Sequence, residues 1–419
     1  MHKRLAVTSA VDVIAGNADL LSEILLRLPA RSLIRFSLVC KFWCSSITSI
    51  QFRLSHSCTL AFSNALTPSG IYFYNCLTDP QKIESLPLTD NVTSLPPLEV
   101  VDHMAATLGD ALKDLHVKDT QVKVTQSCNG LLMCVITCKT GASNIKRGMV
   151  YNPANKGCHL LPTPYDNKYS EVVCYNLIVD PLEPPYYKAV CIKHVDSYSS
   201  DVEVSVYVPG SESWRSCCRF SLPYGMRFDS GVFWNGAIHW IGEYSIYFDA
   251  KSEEIVRKNM PPRPQGDCTQ KIRYVGEWGG HLHLIQVQSL YAKKFNVLEL
   301  DKNTWKWSVK YRVHLARLIS AFPEMIQQTS SGTQYAFSIL SVIRGETEED
   351  SVLLLTIPGK VIAYNLVLKT AEVVRELPGQ IGISCEDFFK NARKLISNLS
   401  FRSFIWGFSI NVIEPLLKK

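Results

Sequence analysis

Between Ala18 and Trp43 the chain reads ADLLSEILLRLPARSLIRFSLVCKFW, and its apolar positions recur at helical spacing. Leu20, Leu21, Ile24, Leu25 and Leu28 form the one-sided stripe of an amphipathic helix. Asn17 or Asp19 offers a short side-chain acceptor to the free amides of the first turn. Pro29 has no amide proton and turns the preceding residue away from helical angles, so this helix is expected to stop at Leu28-Pro29. A second set at three- and four-residue steps, Leu33, Phe36, Val39, Cys40, Trp43, Ile47 and Ile50, predicts one or two more helices. A unit of about forty residues is marginal alone. Leu20, Leu21, Leu25, Leu38, Phe42 and Trp43 are more large apolar groups than three short helices can bury, so some must face the rest of the chain or another protein.

Beyond about His56 the texture changes to short apolar runs punctuated by Gly, Pro, Asn and Asp. One phrase recurs: Gly70–Asn75, Met149–Pro153, Val204–Val208, Ile246–Asp249, Val297–Asp301 and Val361–Asn365 are hydrophobic strands, most ending at a small polar turn residue. Further apolar segments follow, at His159–Pro162, Ile255, Trp305–Trp307 and Val373–Pro378. Between these lie hairpins of a second type, with Asn129-Gly130 and Asn235-Gly236 at their tips, the strongest short signal for a tight turn. Pairing the two types gives a four-stranded unit every forty to seventy residues or so, close to propeller-blade periods, and about six can be counted. The expected fold is α+β multidomain. A small N-terminal three-helix unit precedes a mostly antiparallel β domain, a β-propeller of about six or more blades, with a long-connection β-sandwich as the alternative. Glu386–Leu399 is predicted to be a helix before a last strand near Phe404–Val412.

Composition narrows the chemistry. A chain of 419 residues with 46% hydrophobic and 10% aromatic residues can fill a core, which argues against extensive disorder. Its net charge of +6 is spread along the sequence, without a run of Lys or Arg that would mark a nucleic-acid or membrane patch. Basic and aromatic residues interleave at Lys293-Lys294 and Trp305–Lys310, which reads as half-exposed strand alternation. The first residues, interrupted by Asp12, do not read as a secretion signal, and no window is apolar for long enough to cross a membrane, so cytoplasm or nucleus, or both, is expected. The 14 cysteines lack paired C-x-x-C spacing and sit inside apolar runs such as LLMCVITC, as small hydrophobes do; no metal or other cofactor is expected. No nucleophile elbow, phosphate loop, zinc helix or dinucleotide turn is found, and Glu346–Asp350 reads as a solvated acidic loop. The expectation is a protein without catalytic residues.

The N-terminal segment resembles an F-box, through Asp19-Leu20-Leu21, Glu23-Ile24-Leu25, Arg27-Leu28-Pro29, Ser32-Leu33, Arg35-Phe36, Val39-Cys40-Lys41, Trp43 and Ile47. The phrases SCNGLL at 127–132, VYNP at 150–153, GVFWNGAIHWI at 231–241 and YFD at 247–249 resemble the Kelch-like F-box-associated domain that follows F-boxes in plant proteins. The resemblance implies a flexible tail over 1–14, an F-box over 15–57 and a substrate-binding domain over 58–415. It implies a substrate receptor of a Skp-cullin-F-box ubiquitin ligase, with a Skp-type adaptor and through it a cullin and a RING protein as partners, and no nucleic acid or membrane. By the same resemblance Leu20, Leu21, Ile24, Leu25, Leu28 and Pro29 form a first adaptor stripe, completed by Leu33, Val39, Cys40, Lys41 and Trp43. Trp43 has two readings, contact residue or internal support. The family's usual opening Leu-Pro is Gly16-Asn17 here, which implies a weaker dock. The alternative function is a propeller scaffold whose F-box no longer recruits a ligase. Expected target loops are Pro164–Ser170, Val195–Asp201, Pro261–Asp267 and Arg344–Asp350.

Overall fold

The computed structural model describes residues 17–28, 30–49, 52 and 55, strands 70–75 and 82–87, residues 120–377 with short gaps, and 404–406. The expected tail 1–14, Pro29, Ile50, the expected helix Glu386–Leu399 and the end of the last expected strand lie outside the described residues.

Three helices open the fold: α1 (Ala18–Leu26), α2 (Ala30–Phe36) and α3 (Lys41–Thr48). Asn17, not Asp19, caps α1, its side chain accepting from the amides of Asp19 and Leu20 at 3.0 and 3.2 Å. The helix ends at Leu26, with Arg27 as C-cap, ahead of the expected break.

Strands β1 (Gly70–Asn75) and β2 (Lys82–Pro87) lead into five four-stranded antiparallel sheets. The first blade is β3–β6 (Thr120–Cys128, Leu131–Thr140, Ser143–Asn152, Gly157–Leu160) and the second β7–β10 (Val172–Val179, Tyr187–His194, Asp201–Tyr207, Arg215–Ser221). The third is β11–β14 (Val232–Trp234, Ala237–Ile241, Ser245–Asp249, Ile255–Lys258) and the fourth β15–β18 (Lys271–Trp278, His281–Val287, Lys294–Leu300, Trp307–His314). A short helix α4 (Ala316–Ala321) and the hairpin β19–β20 (Ile326–Thr329, Gly332–Tyr335) precede the fifth, β21–β24 (Ser338–Ile343, Val352–Ile357, Lys360–Asn365, Ala371–Glu376). The first strands of successive blades lie side by side, as the inner strands of a propeller do.

Among the described residues the blades number five, which corrects the expected six or more. Five of the six recurring phrases are the third strands of blades. The sixth, Gly70–Asn75, is the middle strand of a three-stranded sheet completed by β25 (Phe404–Trp406), which pairs with β1 from the far end of the chain.

Tryptophans tie blade to blade. The Trp240 indole donates to Asn176 Oδ1 at 3.2 Å, Trp234 to the Gly280 carbonyl at 2.8 Å, and Trp278 to the Arg344 carbonyl at 3.2 Å. Gly231 lies against the first of these links; a Cβ there would sit 2.5 Å from Asn176 Nδ2 and 2.8 Å from Trp240 Nε1.

The turns between the third and fourth strands repeat one device in blades three to five. The side chain of Asp249, Asp301 or Asn365 accepts from two following amides, and the fifth residue of each turn, Glu253, Trp305 or Lys369, is left-handed at φ 57°, 56° and 60°. Each left-handed residue reaches the preceding blade. Glu253 takes a bidentate pair from Arg215 at 2.6 and 2.7 Å, Trp305 stacks on Tyr247 at 4.8 Å and 18°, and Lys369 Nζ donates to the Arg312 carbonyl at 3.1 Å.

Candidate functional site

The helical unit sorts its apolar residues into two sets. Leu21 (2% exposed), Leu25 (1%), Leu33, Ile47 and Phe52 form its core, and Leu26, Leu28, Phe36 and Trp43 pack against them. Trp43 meets Phe36 edge to face at 5.6 Å and 79°, so its ring supports the helices, while its partial exposure leaves a surface to touch. Facing out are Leu20 (46%), Ile24 (44%), Leu38 (84%), Val39 and Phe42. Leu20 and Ile24 stand one turn apart on one face of α1. Leu38, Val39 and Phe42 follow at the turn from α2 into α3, where Cys40 and Lys41 are exposed too. Cys40 caps α3, its sulfur accepting from the Trp43 amide at 3.5 Å.

The expected adaptor stripe is thus divided. Leu21, Leu25 and Leu33 point into the unit's own core, Leu28 and Trp43 are half-buried, Leu20, Ile24, Val39, Cys40 and Lys41 are exposed, and Pro29 lies outside the described residues. Leu38 and Phe42 belong to the exposed set although the motif did not select them. Their signal was an apolar excess over what three short helices can cover.

Antiparallel order assigns the loops of the β domain to two ends. Turns after the first and third strands of a blade lie at one end; turns after the second strand and connections between blades lie at the other. Of the expected target loops, Val195–Asp201 follows a second strand and so sits at the connection end, while Pro261–Asp267 and, beyond Pro164, Pro164–Ser170 lie outside the described residues. Arg344–Asp350 follows a first strand and sits at the opposite end. Much of these loops lies outside the described residues.

The acidic Arg344–Asp350 loop is tethered. Glu299 receives His281 Nδ1 at 2.9 Å and the Arg344 guanidinium at 3.3 Å, with the fully buried His283 ring at 3.6 Å. The His281 hydrogen bond, with the His283 ring close by, holds the Glu299 carboxyl well below the usual carboxylate range. Glu348 in turn pairs with Lys310, and Thr347 and Asp350 close a capping box. Among the described residues no group of three or more His, Cys, Asp or Glu could hold a metal ion, the cysteines form no disulfide, and no helix is long and apolar enough to cross a membrane.

Comparison with known proteins agrees with this division of the chain. Residues 18–55 match the F-box domain, and residues 88–339 match the F-box associated beta propeller domain. Among relatives from Arabidopsis thaliana, F-box protein At5g07610 is 29% identical over 407 residues, covering 91% of this chain and 90% of its own. F-box protein At4g19940 is 24% identical, covering 84% and 82%, and F-box/kelch-repeat protein At3g23880 is 27% identical, covering 58% and 64%. With an F-box in front and the associated domain matched over more than half its length, the chain belongs to the F-box-associated β-propeller family.

Proposed function

We propose that this protein is the substrate-recognition subunit of a Skp-cullin-F-box ubiquitin ligase, working in the cytoplasm, the nucleus or both. The F-box, taken as residues 15–57, docks on a Skp-type adaptor and through it on a cullin and a RING protein. The Kelch-like β domain, taken as residues 58–415, holds a target protein. The chain makes and breaks no bonds; holding target and loaded conjugating enzyme together raises the effective concentration of target lysines at the thioester.

The observation that carries this reading is the set of large apolar side chains left outside a helical unit with a closed core of its own. Leu20, Ile24, Val39, Cys40 and Lys41 are assigned to direct contact together with Leu38 and Phe42, and Leu28, Pro29 and Trp43 to its margin. Leu21, Leu25 and Leu33 act by keeping the helices in place. Interface energy concentrates in a few such apolar anchors.

The test is capture of a purified Skp-type adaptor by the full chain, measured by calorimetry. Binding at micromolar affinity or tighter is expected. Absence of binding by a folded chain refutes the ligase reading and leaves an interaction scaffold whose F-box, opening with Gly16-Asn17, no longer docks.

A further inference from the structure

The seams between blades differ in what fills them. Between the fourth and fifth blades lies a continuous apolar cluster that includes Phe295, Val313, Leu353 and Tyr364. Between the third and fourth, the buried apolar core is Trp234, Leu282 and Leu300, bordered by the stack of Trp305, Tyr247 and His239. The outer part of this second seam is cationic. Lys294 pairs with His314 and Asn296 with Arg312 across β17 and β18, so all four side chains share one face of the sheet. The opposite face carries Phe295 and Val313, which pack toward the fifth blade, so Lys294, Arg312 and His314 face the third. From the third blade Lys258 enters the same seam, its ammonium 5.9 Å from the centre of the Trp305 ring. Lys258, Lys294, Arg312 and His314 are all exposed.

Several cations of the domain are matched: Arg215 with Glu253 at 2.6 Å, Arg219 with Glu203 at 2.7 Å, Lys146 with Glu171 at 3.3 Å and Lys360 with Glu324 at 2.6 Å. Among the described residues no carboxylate stands within ion-pair distance of Lys258, Lys294, Arg312 or His314. Clustered like charges repel one another unless an anion joins them.

We propose that this strip binds an acidic segment of the captured protein, a short run of Asp or Glu laid along the seam between the third and fourth blades; the inference rests on the reading of the β domain as a target holder. A short acidic peptide fits better than a nucleic acid, because the basic groups are confined to one seam and the sequence has no run of Lys or Arg that would follow a longer polyanion. The peptide's carboxylates take the ammonium and guanidinium groups.

The test is fluorescence anisotropy of a labelled oligo-glutamate peptide titrated with the full chain. Salt-sensitive binding is expected. Lys294→Glu/Arg312→Glu should weaken it about tenfold, two lost contacts of roughly half that free energy each. Lys302→Glu/Lys306→Glu, at the opposite end, should leave it unchanged, and all proteins should melt alike. No binding, equal loss in both variants, or an oligonucleotide of the same length binding as tightly overturns the proposal. Adaptor capture is measured on the same preparations. Lost peptide binding with intact capture rejects this inference alone, whereas lost capture with intact peptide binding rejects the ligase reading alone.

Discussion

Replacing Trp305 with alanine and with glycine separates two opposed terms in one side chain. Its backbone is left-handed at φ 56°, which costs an L-residue with a Cβ roughly 1–2 kcal/mol. Its ring stacks on Tyr247 at 4.8 Å and on His239 at 5.7 Å. Truncating a fully buried Trp costs about 3–5 kcal/mol; for this half-buried ring about half of that is at stake, stacking included. Trp305→Ala loses the ring and keeps the strain, so it should destabilise by about 2 kcal/mol. Trp305→Gly loses the same ring but adopts the turn freely, recovering about 1 kcal/mol against the extra freedom of its unfolded chain. The expected order is wild type, then glycine, then alanine, the reverse of the usual preference for alanine over glycine. In a domain of this size 1 kcal/mol moves the melting temperature by about 2 °C, resolvable by scanning calorimetry or far-ultraviolet circular dichroism, neither of which depends on the lost fluorophore. A glycine variant melting at or below the alanine variant would refute the account of Trp305 as a strained lock.

Three other outcomes follow from the packing. Leu20→Ala/Ile24→Ala should weaken adaptor binding by about 1.5 kcal/mol, since roughly half of each side chain remains to be buried, and should leave helicity intact, while Leu25→Ala should cost the helical unit about 2–5 kcal/mol and lose both together; affinity and circular dichroism of the same samples decide. His239 is buried, with Nδ1 unpartnered, and burial pushes its pKa down to about 4, so the unfolded chain binds the proton first as pH falls from about 6.5. Stability should therefore fall by about 3 kcal/mol across that window, above the range where Glu299 is protonated, and His239→Gln should flatten the slope in denaturant titrations at stepped pH. Gly231→Ala drives a methyl into Asn176 and Trp240 and should destabilise by about 1–3 kcal/mol, with a normal melting curve as the contrary result.

Much of the architecture was legible because it is periodic. Five of the apolar phrases are the third strands of blades, four of them ending at Asn or Asp, and Asn235-Gly236 forms the tight hairpin its dipeptide announces, with φ values of 48° and 76°. The count failed where resemblance among strands ceased to mean equivalence. Gly70–Asn75 has the same alternation as the others, but its sheet is finished by a strand from the other end of the chain, and no local pattern encodes such a partner. In the helical unit, spacing put Leu20 and Leu21 on one stripe. An apolar stripe as wide as this one serves two neighbours, and packing alone decides that Leu21 turns inward and Leu20 outward. The cationic seam was invisible for a similar reason: Lys294 and Arg312 are apart in sequence and come to one sheet face through strand register.

The pairing of β1 with β25 has a bearing on the order of biogenesis. A chain folds from its N-terminus as it leaves the ribosome, so the helical unit and β1 are made before the blades, and β1 keeps an unpaired edge until β25 has been made. Closing so large a loop is slow, and each intermediate presents a strand edge to neighbours. The helical unit, with a core of its own, is therefore folded while the circle of blades is still open. A nascent chain stalled after the fifth blade would carry a finished helical unit beside an unfinished β1 edge, a combination that chaperones and proteases can distinguish from the mature fold.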